Sequence, residues 1–155
     1  MTIRKAKIKD INDIKQLLAQ VLKIHADLRP DIFKHNSIKY TDEELKEILA
    51  DEKRPIFVAV DDTDLVLGYA FCVLKNQPFS TIMHDFKTLY IDDLCVDENA
   101  RGKHIGRQLF DYVTKFAKEQ GCYDITLNVW ENNSARKFYE SMGMFVKETQ
   151  MEIIL

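Results

Sequence analysis

The strongest constraint on this fold is a change of hydrophobic period across residues 88–130. Thr88–Val96 is an apolar, β-branched run that carries Asp92 and Asp93, a pattern that predicts a strand. Ile105, Leu109, Tyr112, Val113, Phe116 and Ala117 then recur at helical spacing, and Gly121 supplies a stop. Ile125–Trp130 returns to a strand pattern. Strand, helix and strand in this order predict one crossover whose two strands lie parallel.

The rest of the chain packs around that unit. Residues 2–8 alternate as a short strand, and Asp10 is placed to cap a helix on Ile11, Ile14, Leu17, Leu18, Val21 and Leu22. Between Ile24 and Tyr40 the pattern is broken by Pro30 and reads as irregular. Thr41 with Glu44 forms a capping box that opens a helix on Leu45, Ile48 and Leu49. Ile56–Val60 and Leu65–Leu74 read as strands joined by the turn Asp61–Asp64, followed by a loop at Pro78. A helix over 133–142, ended by Gly143, and a last strand over 145–154 complete the order β-α-α-β-β-β-α-β-α-β. With 155 residues, 46% of them hydrophobic, the expectation is a single mixed α/β (α+β) domain over 1–155.

Charge and cysteine usage narrow the function. A net charge of −3 gives no basic field for nucleic acid or anionic lipid, so neither partner is expected. Cys72, Cys95 and Cys122 are odd in number and lie in or beside apolar runs, which suits reduced packed thiols rather than a disulfide framework or a metal site. Residues 1–7 have no apolar signal region and no run approaches a membrane span, so a cytoplasmic protein is expected.

The chemistry concentrates at 94–107, where an apolar strand passes through a small basic turn into an amphipathic helix. A helix start aims unpaired backbone N–H groups at one point, and Arg101, Lys103 and Arg107 add positive charge there. Such a junction can hold a phosphate. An ordinary turn with a solvated basic face is the alternative that these residues alone leave open. No Gly-Lys-Ser/Thr ending makes it a Walker loop, and the region about 20 positions on is still helix and turn, unlike a Rossmann unit.

Together with Asn132-Asn133-Ser134-Ala135-Arg136-Lys137-Phe138-Tyr139-Glu140-Ser141-Met142-Gly143, this junction resembles the GNAT (Gcn5-related) N-acetyltransferases. The resemblance covers nearly the whole chain and is weakest over 24–55. It implies a mixed sheet of six to seven strands, about four flanking helices, and two parallel strands that splay at the CoA site. It further implies acetyl-CoA as co-substrate, no metal, and an acceptor that is a small-molecule amine or a protein amino group. A homodimer is compatible with it.

By the same resemblance, Leu94, Cys95 and Val96 line the pantetheine arm, and a backbone N–H there serves as oxyanion donor. Arg101, Gly102, Lys103, His104, Ile105, Gly106 and Arg107 form the pyrophosphate turn, and Asn132 and Ala135 contact CoA. His104 stands where the family has its first glycine, a departure that a histidine in a left-handed conformation can accommodate. Tyr139 corresponds to the tyrosine beside the CoA sulfur and is the candidate acid for the departing thiolate, although the residues alone also allow simple packing beside Phe138 and Met142.

Tyr90–Val96 resembles the strand of diamine-type acetyltransferases, in which a glutamate at the Asp92 position faces the amine. Asp92 is therefore the candidate base, acting through water, with a structural carboxylate as the equal alternative. Because neighbours in a strand point to opposite faces, at most one of Asp92 and Asp93 is expected to reach the cleft. The competing function is a non-catalytic acyl-CoA-binding sensor on the same fold.

Overall fold

The computed structural model describes residues 1–77 and 81–155, so the loop expected at Pro78 lies outside the described residues. Five strands form one sheet in the order in which they occur: β1 (Thr2–Lys5), β2 (Ile56–Val60), β3 (Val66–Asn76), β4 (Lys87–Val96) and β5 (Asp124–Thr126). The first three pairings are antiparallel and β4 with β5 is parallel, as the crossover requires. Four helices flank the sheet: α1 (Ile11–Leu28), α2 (Asp42–Ala50), α3 (Ile105–Glu119) and α4 (Ala135–Ser141).

Alternation along the strands divides the core into two layers. Val58, Tyr69, Phe71 and Cys95 point to the face covered by Ile14, Leu17 and Leu18 of α1 and by Leu45 and Ile48 of α2. Phe57, Ala70, Cys72, Leu89 and Ile91 point to the opposite face, where Phe110, Val113 and Ala117 of α3 cover them. Burying side chains of this size contributes about 1.5–3 kcal/mol each. None of the three cysteines is paired in a disulfide.

Local chemistry explains where the elements start and stop. The Thr41 capping box forms as the sequence predicts, with Glu44 N–H donating to Thr41 Oγ1 at 3.2 Å and Thr41 N–H to Glu44 Oε2 at 2.7 Å. Asp10, in contrast, does not cap α1. Its buried carboxylate accepts both Arg4 guanidinium nitrogens, at 2.7 and 3.0 Å, and the Lys7 N–H at 2.7 Å. The arginine fork outcompetes the neutral N–H groups of the helix start. α1 also runs past Ile24 to Leu28, because Ala26 is fully buried, and the helix stops only where Pro30 follows.

Two strand expectations are corrected. Pairing with β4 covers 124–126, so only Ile125 and Thr126 of the stretch expected over 125–130 join it. The stretch 145–154 forms no strand, so among the described residues the sheet has five strands instead of six or seven. In both cases the side-chain pattern suits a strand, but a strand also needs a neighbouring backbone to pair with. Asp92 explains the first case. Phe71 faces Asp93 and Cys72 faces Ile91, so Asp92 is an extra residue bulged out of β4. A bulge bends its strand, and β4 leaves β5 just after the Tyr90–Thr126 pair.

Candidate active site

The bulge opens a split in the sheet. Beyond Tyr90 the side of β4 that faces β5 has no strand partner among the described residues. Alternate backbone groups of 91–96 therefore point into the opening. Leu94 is half-buried toward α3, whereas the Cys95 thiol lies on the other face and donates to the Leu17 carbonyl at 3.8 Å. Burial pushes that thiol up to about 12, with Asp93 adding to the shift. Cys95 can therefore offer a ligand only its backbone. Gly68 is required behind it, since a Cβ there would sit 2.7 Å from the Cys95 carbonyl oxygen.

The mouth of the split is the start of α3. His104 precedes the helix at φ +58° and ψ +20°, the left-handed conformation, and Gly102 has φ +80°. The helix has no side-chain cap, and the N–H groups of Ile105, Gly106 and Arg107 have no partner among the described residues. Arg101, Lys103 and Arg107 are exposed and make no ion pair among the described residues. Arg4, Arg29, Arg54 and Arg136 each have a carboxylate. Cations without an ion pair among the described residues, set around uncapped N–H groups, give this helix start a positive field. Val96 and the ring of Phe138 pack around Gly106, where an added Cβ would meet them at 3.6 and 3.4 Å.

Further along the split, the bulge brings both aspartates to one cation. Lys39 Nζ lies 3.2 Å from Asp92 Oδ2 and 3.8 Å from Asp93 Oδ2, so the expectation that only one carboxylate can reach this side is corrected. An extra residue breaks the two-residue alternation. Asp92 is the more exposed of the pair. Asp93 is buried and accepts the Tyr69 hydroxyl at 2.9 Å. Burial raises the Asp93 pKa, opposed by Lys39, Tyr69 and His25. At Lys39 burial acts downward, but the two carboxylates override it and the net shift is upward. His25 is lowered, mainly by burial and also by Lys39, despite Asp93.

Tyr139, on α4, is half-buried beside Phe138, with ring centroids 5.2 Å apart. Its hydroxyl has no hydrogen-bond partner among the described residues. Burial pushes its pKa up to about 12, and the negative charge of Asp93 adds to the shift. The tyrosine thus packs on the α3 side of the sheet yet senses a carboxylate on the α1 side, across the split. α4 begins at an Asx turn in which Asn133 Oδ1 accepts the Ala135 N–H at 2.9 Å. Asn133, not Asn132, is therefore the capping residue. Asn132 sits just before it, exposed and with φ +67°.

Arg29 and Phe33, in the stretch where the resemblance is weakest, both meet Trp130. Phe33 packs against His25 at 5.2 Å and edge-on against Trp130 at 5.4 Å. Arg29 lies over Trp130 at 5.6 Å and pairs with Asp31 at 2.7 Å, so Asp31 is already neutralised. The Asn128 amide donates to the Tyr90 hydroxyl at 3.4 Å. Lys39 and Tyr69 went unnoticed in the sequence. Two adjacent aspartates in an otherwise apolar strand were the available signal of a bulge and of a cation opposite it.

A mixed sheet split between parallel strands, with an uncapped basic helix start at its mouth, is the architecture of acyltransferases. The chain belongs to the Acetyltransferase (GNAT) family, whose model matches residues 18–144. It is 35% identical over 65 residues to a glucosamine 6-phosphate N-acetyltransferase of Arabidopsis thaliana, covering 42% of each chain. That match thus spans less than half of the curated relative. A crystal structure of a mutant of the BH1408 protein from Bacillus halodurans superposes with a TM-score of 0.95 at 34% identity, covering 100% of this chain and 99% of that one. An aminoglycoside N-acetyltransferase in complex with CoA shares the fold, with a TM-score of 0.72 at 15% identity, covering 99% of this chain and 98% of the other. Among the described residues no helix is long and apolar enough to cross a membrane, and no cluster of metal-ligating side chains occurs.

Proposed function

We propose that this protein is an acetyl-CoA-dependent N-acetyltransferase that acts on a primary amine of a small molecule or protein in a ternary complex. One observation carries the reading. The split in the sheet joins an unoccupied-by-protein set of N–H groups and cations at 101–107 to a free tyrosine hydroxyl and a buried carboxylate at its centre. These features fit the co-substrate: the helix start suits a pyrophosphate, and the open edge of β4 suits an amide-bearing arm laid along it like an added strand.

Bound acetyl-CoA supplies a thioester carbonyl and a thiol leaving group. The residues divide the remaining work. Backbone N–H groups of Leu94–Val96 polarise the carbonyl oxygen, and Asn132 and Ala135 flank the arm. The carboxylate pair Asp92 and Asp93 attracts the acceptor ammonium and takes its proton, directly or through water. Burial sets Asp93 upward toward the working pH, as a base requires. Tyr139 returns a proton to the departing sulfur. Its raised pKa keeps it protonated through neutral and mildly alkaline solution.

Several curated relatives are glucosamine 6-phosphate N-acetyltransferases, so that amino sugar is the first acceptor to assay beside alkyl amines and lysine peptides. The test is acetyl-CoA with this panel, following thiol release and the mass of the product. Amine-dependent release supports the reading. CoA binding without turnover of any amine would leave a non-catalytic acyl-CoA sensor, and absence of CoA binding would remove both.

A further inference from the structure

Lys39 differs from the other paired lysines in what it meets. Lys9, Lys15 and Lys147 face carboxylates that are 23–45% exposed, whereas Lys39 reaches Asp93, which is 8% exposed. It donates to Asp92 Oδ2 at 3.2 Å, and its Nζ lies 5.4 Å from the centroid of the Tyr40 ring. A lysine in such a place can serve merely to neutralise a buried charge. Two observations go beyond that role. Asp93 already has the Tyr69 hydroxyl, and the two carboxylates exceed the single cation between them. Lys39 also stands on the connection between α1 and α2, where residues 34–40 make no backbone–backbone hydrogen bond among the described residues. A structural cation gains nothing from so loose a mount.

The position of Lys39 is that of an acceptor. The pair Asp92 and Asp93 is the group assigned to attract an ammonium and take its proton, and Lys39 is a primary ammonium resting on both. The charge of Asp93 also reaches the Tyr139 hydroxyl, the group assigned to protonate the leaving sulfur. Amine, base and acid thus gather around one carboxylate. A long side chain on a connection without backbone bonds gives Nζ the freedom to advance from the carboxylates toward a thioester.

We propose that Lys39 is a self-modification site, whose Nζ takes an acetyl group from acetyl-CoA bound to the same copy of the chain. The inference rests on the acetyl-transfer reading of the site. Lys39 first gives one proton to the carboxylate pair, which passes it to water. The neutral Nζ then attacks the thioester carbonyl, so that the N–C bond forms and the C–S bond breaks. Tyr139 gives its proton to the departing sulfur and is restored by the second proton that the nitrogen loses. The products are acetyl-lysine, the CoA thiol and one released proton, with no oxidant or further reactant. Acetylation removes the charge of Lys39, leaves Asp92 and Asp93 without their cation and puts an amide where an external ammonium would sit. A chain without an acceptor therefore blocks its own site.

The experiment incubates the full chain with acetyl-CoA and no amine, at several protein concentrations, and follows intact mass and mapped peptides. Lys39 is expected to gain an acetyl group about tenfold or more faster than the exposed Lys23, Lys34 and Lys118, because it alone is held at the site. Uncatalysed acetylation would give the opposite order, since the carboxylates hold Lys39 protonated. The rate constant is expected to be independent of protein concentration, as transfer within one copy requires. Lys39→Arg keeps the charge and is expected to melt cooperatively and to lack the fast acetylation. Acetylation spread evenly over the lysines overturns the proposal, as does a rate constant that rises with protein concentration. An unmodified Lys39 overturns it too, and the amine panel on the same preparation then separates the two readings. Turnover of an amine keeps the transferase, whereas absence of CoA binding removes both.

Discussion

Removing the Tyr139 hydroxyl tests the chemistry with little disturbance to the fold. In Tyr139→Phe the ring keeps its contact with Phe138, and because the hydroxyl has no partner among the described residues, no hydrogen bond to them is lost. The stability change is therefore expected below about 1 kcal/mol, or roughly 2–4 °C in Tm for a chain of this size. General acid catalysis is worth roughly 10²–10⁴-fold, so kcat should fall by that factor, or about 2.7–5.5 kcal/mol of barrier. Affinity for acetyl-CoA, measured by calorimetry, should stay within about twofold of the parent. The acid is needed protonated, and its pKa is raised to about 12, so the parent should lose no activity through Tyr139 ionisation up to about pH 10. Single-turnover kinetics separate the chemical step from product release. An unchanged single-turnover rate would refute the acid role and leave Tyr139 as a packing residue. A Tm drop of more than about 10 °C would refute the structural premise that the hydroxyl is unpartnered.

Three further outcomes are expected. His104→Gly removes a left-handed cost of about 1–2 kcal/mol and adds about 0.5–1 kcal/mol of unfolded-state freedom, so Tm should hold or rise by a few degrees. Its CoA affinity should stay within about tenfold in calorimetry, and a larger loss would make the imidazole itself a phosphate ligand. Asp10→Asn breaks a buried pair with Arg4 and should cost about 3 kcal/mol at neutral pH by denaturant melts. Because the folded Asp10 pKa is lowered, that contribution is full above the unfolded value near 3.9, and the parent's advantage should fade only as pH falls below about 4. Gly68→Ala puts a Cβ against the Cys95 carbonyl and should cost about 1–3 kcal/mol, seen as a Tm lower by several degrees.

The local readings that held are those set by short-range chemistry. The capping box at Thr41, the apolar stripe of α3 and its glycine stop depend on residues within a few positions of one another, so one sequence suffices to read them. The basic turn at 101–107 was legible for the same reason: the uncapped helix start and its cations adjoin in the chain. Asp10 was misread because its partner, Arg4, is closer in energy than the helix that follows it.

What sequence alone determined was thus the order of elements as far as α4, the parallel crossover and the place of the uncapped basic helix start. The tertiary structure decided which strands pair and how the centre of the cleft is charged. The bulge at Asp92 is a relation between β3 and β4, invisible from β4 by itself, and it turns two consecutive aspartates toward Lys39 from a distant loop. Likewise 145–154 has a strand's alternation, but alternation fixes only which side chains share a face. Whether a strand forms depends on a second backbone to take up its N–H and C=O groups, and that is a property of the surroundings.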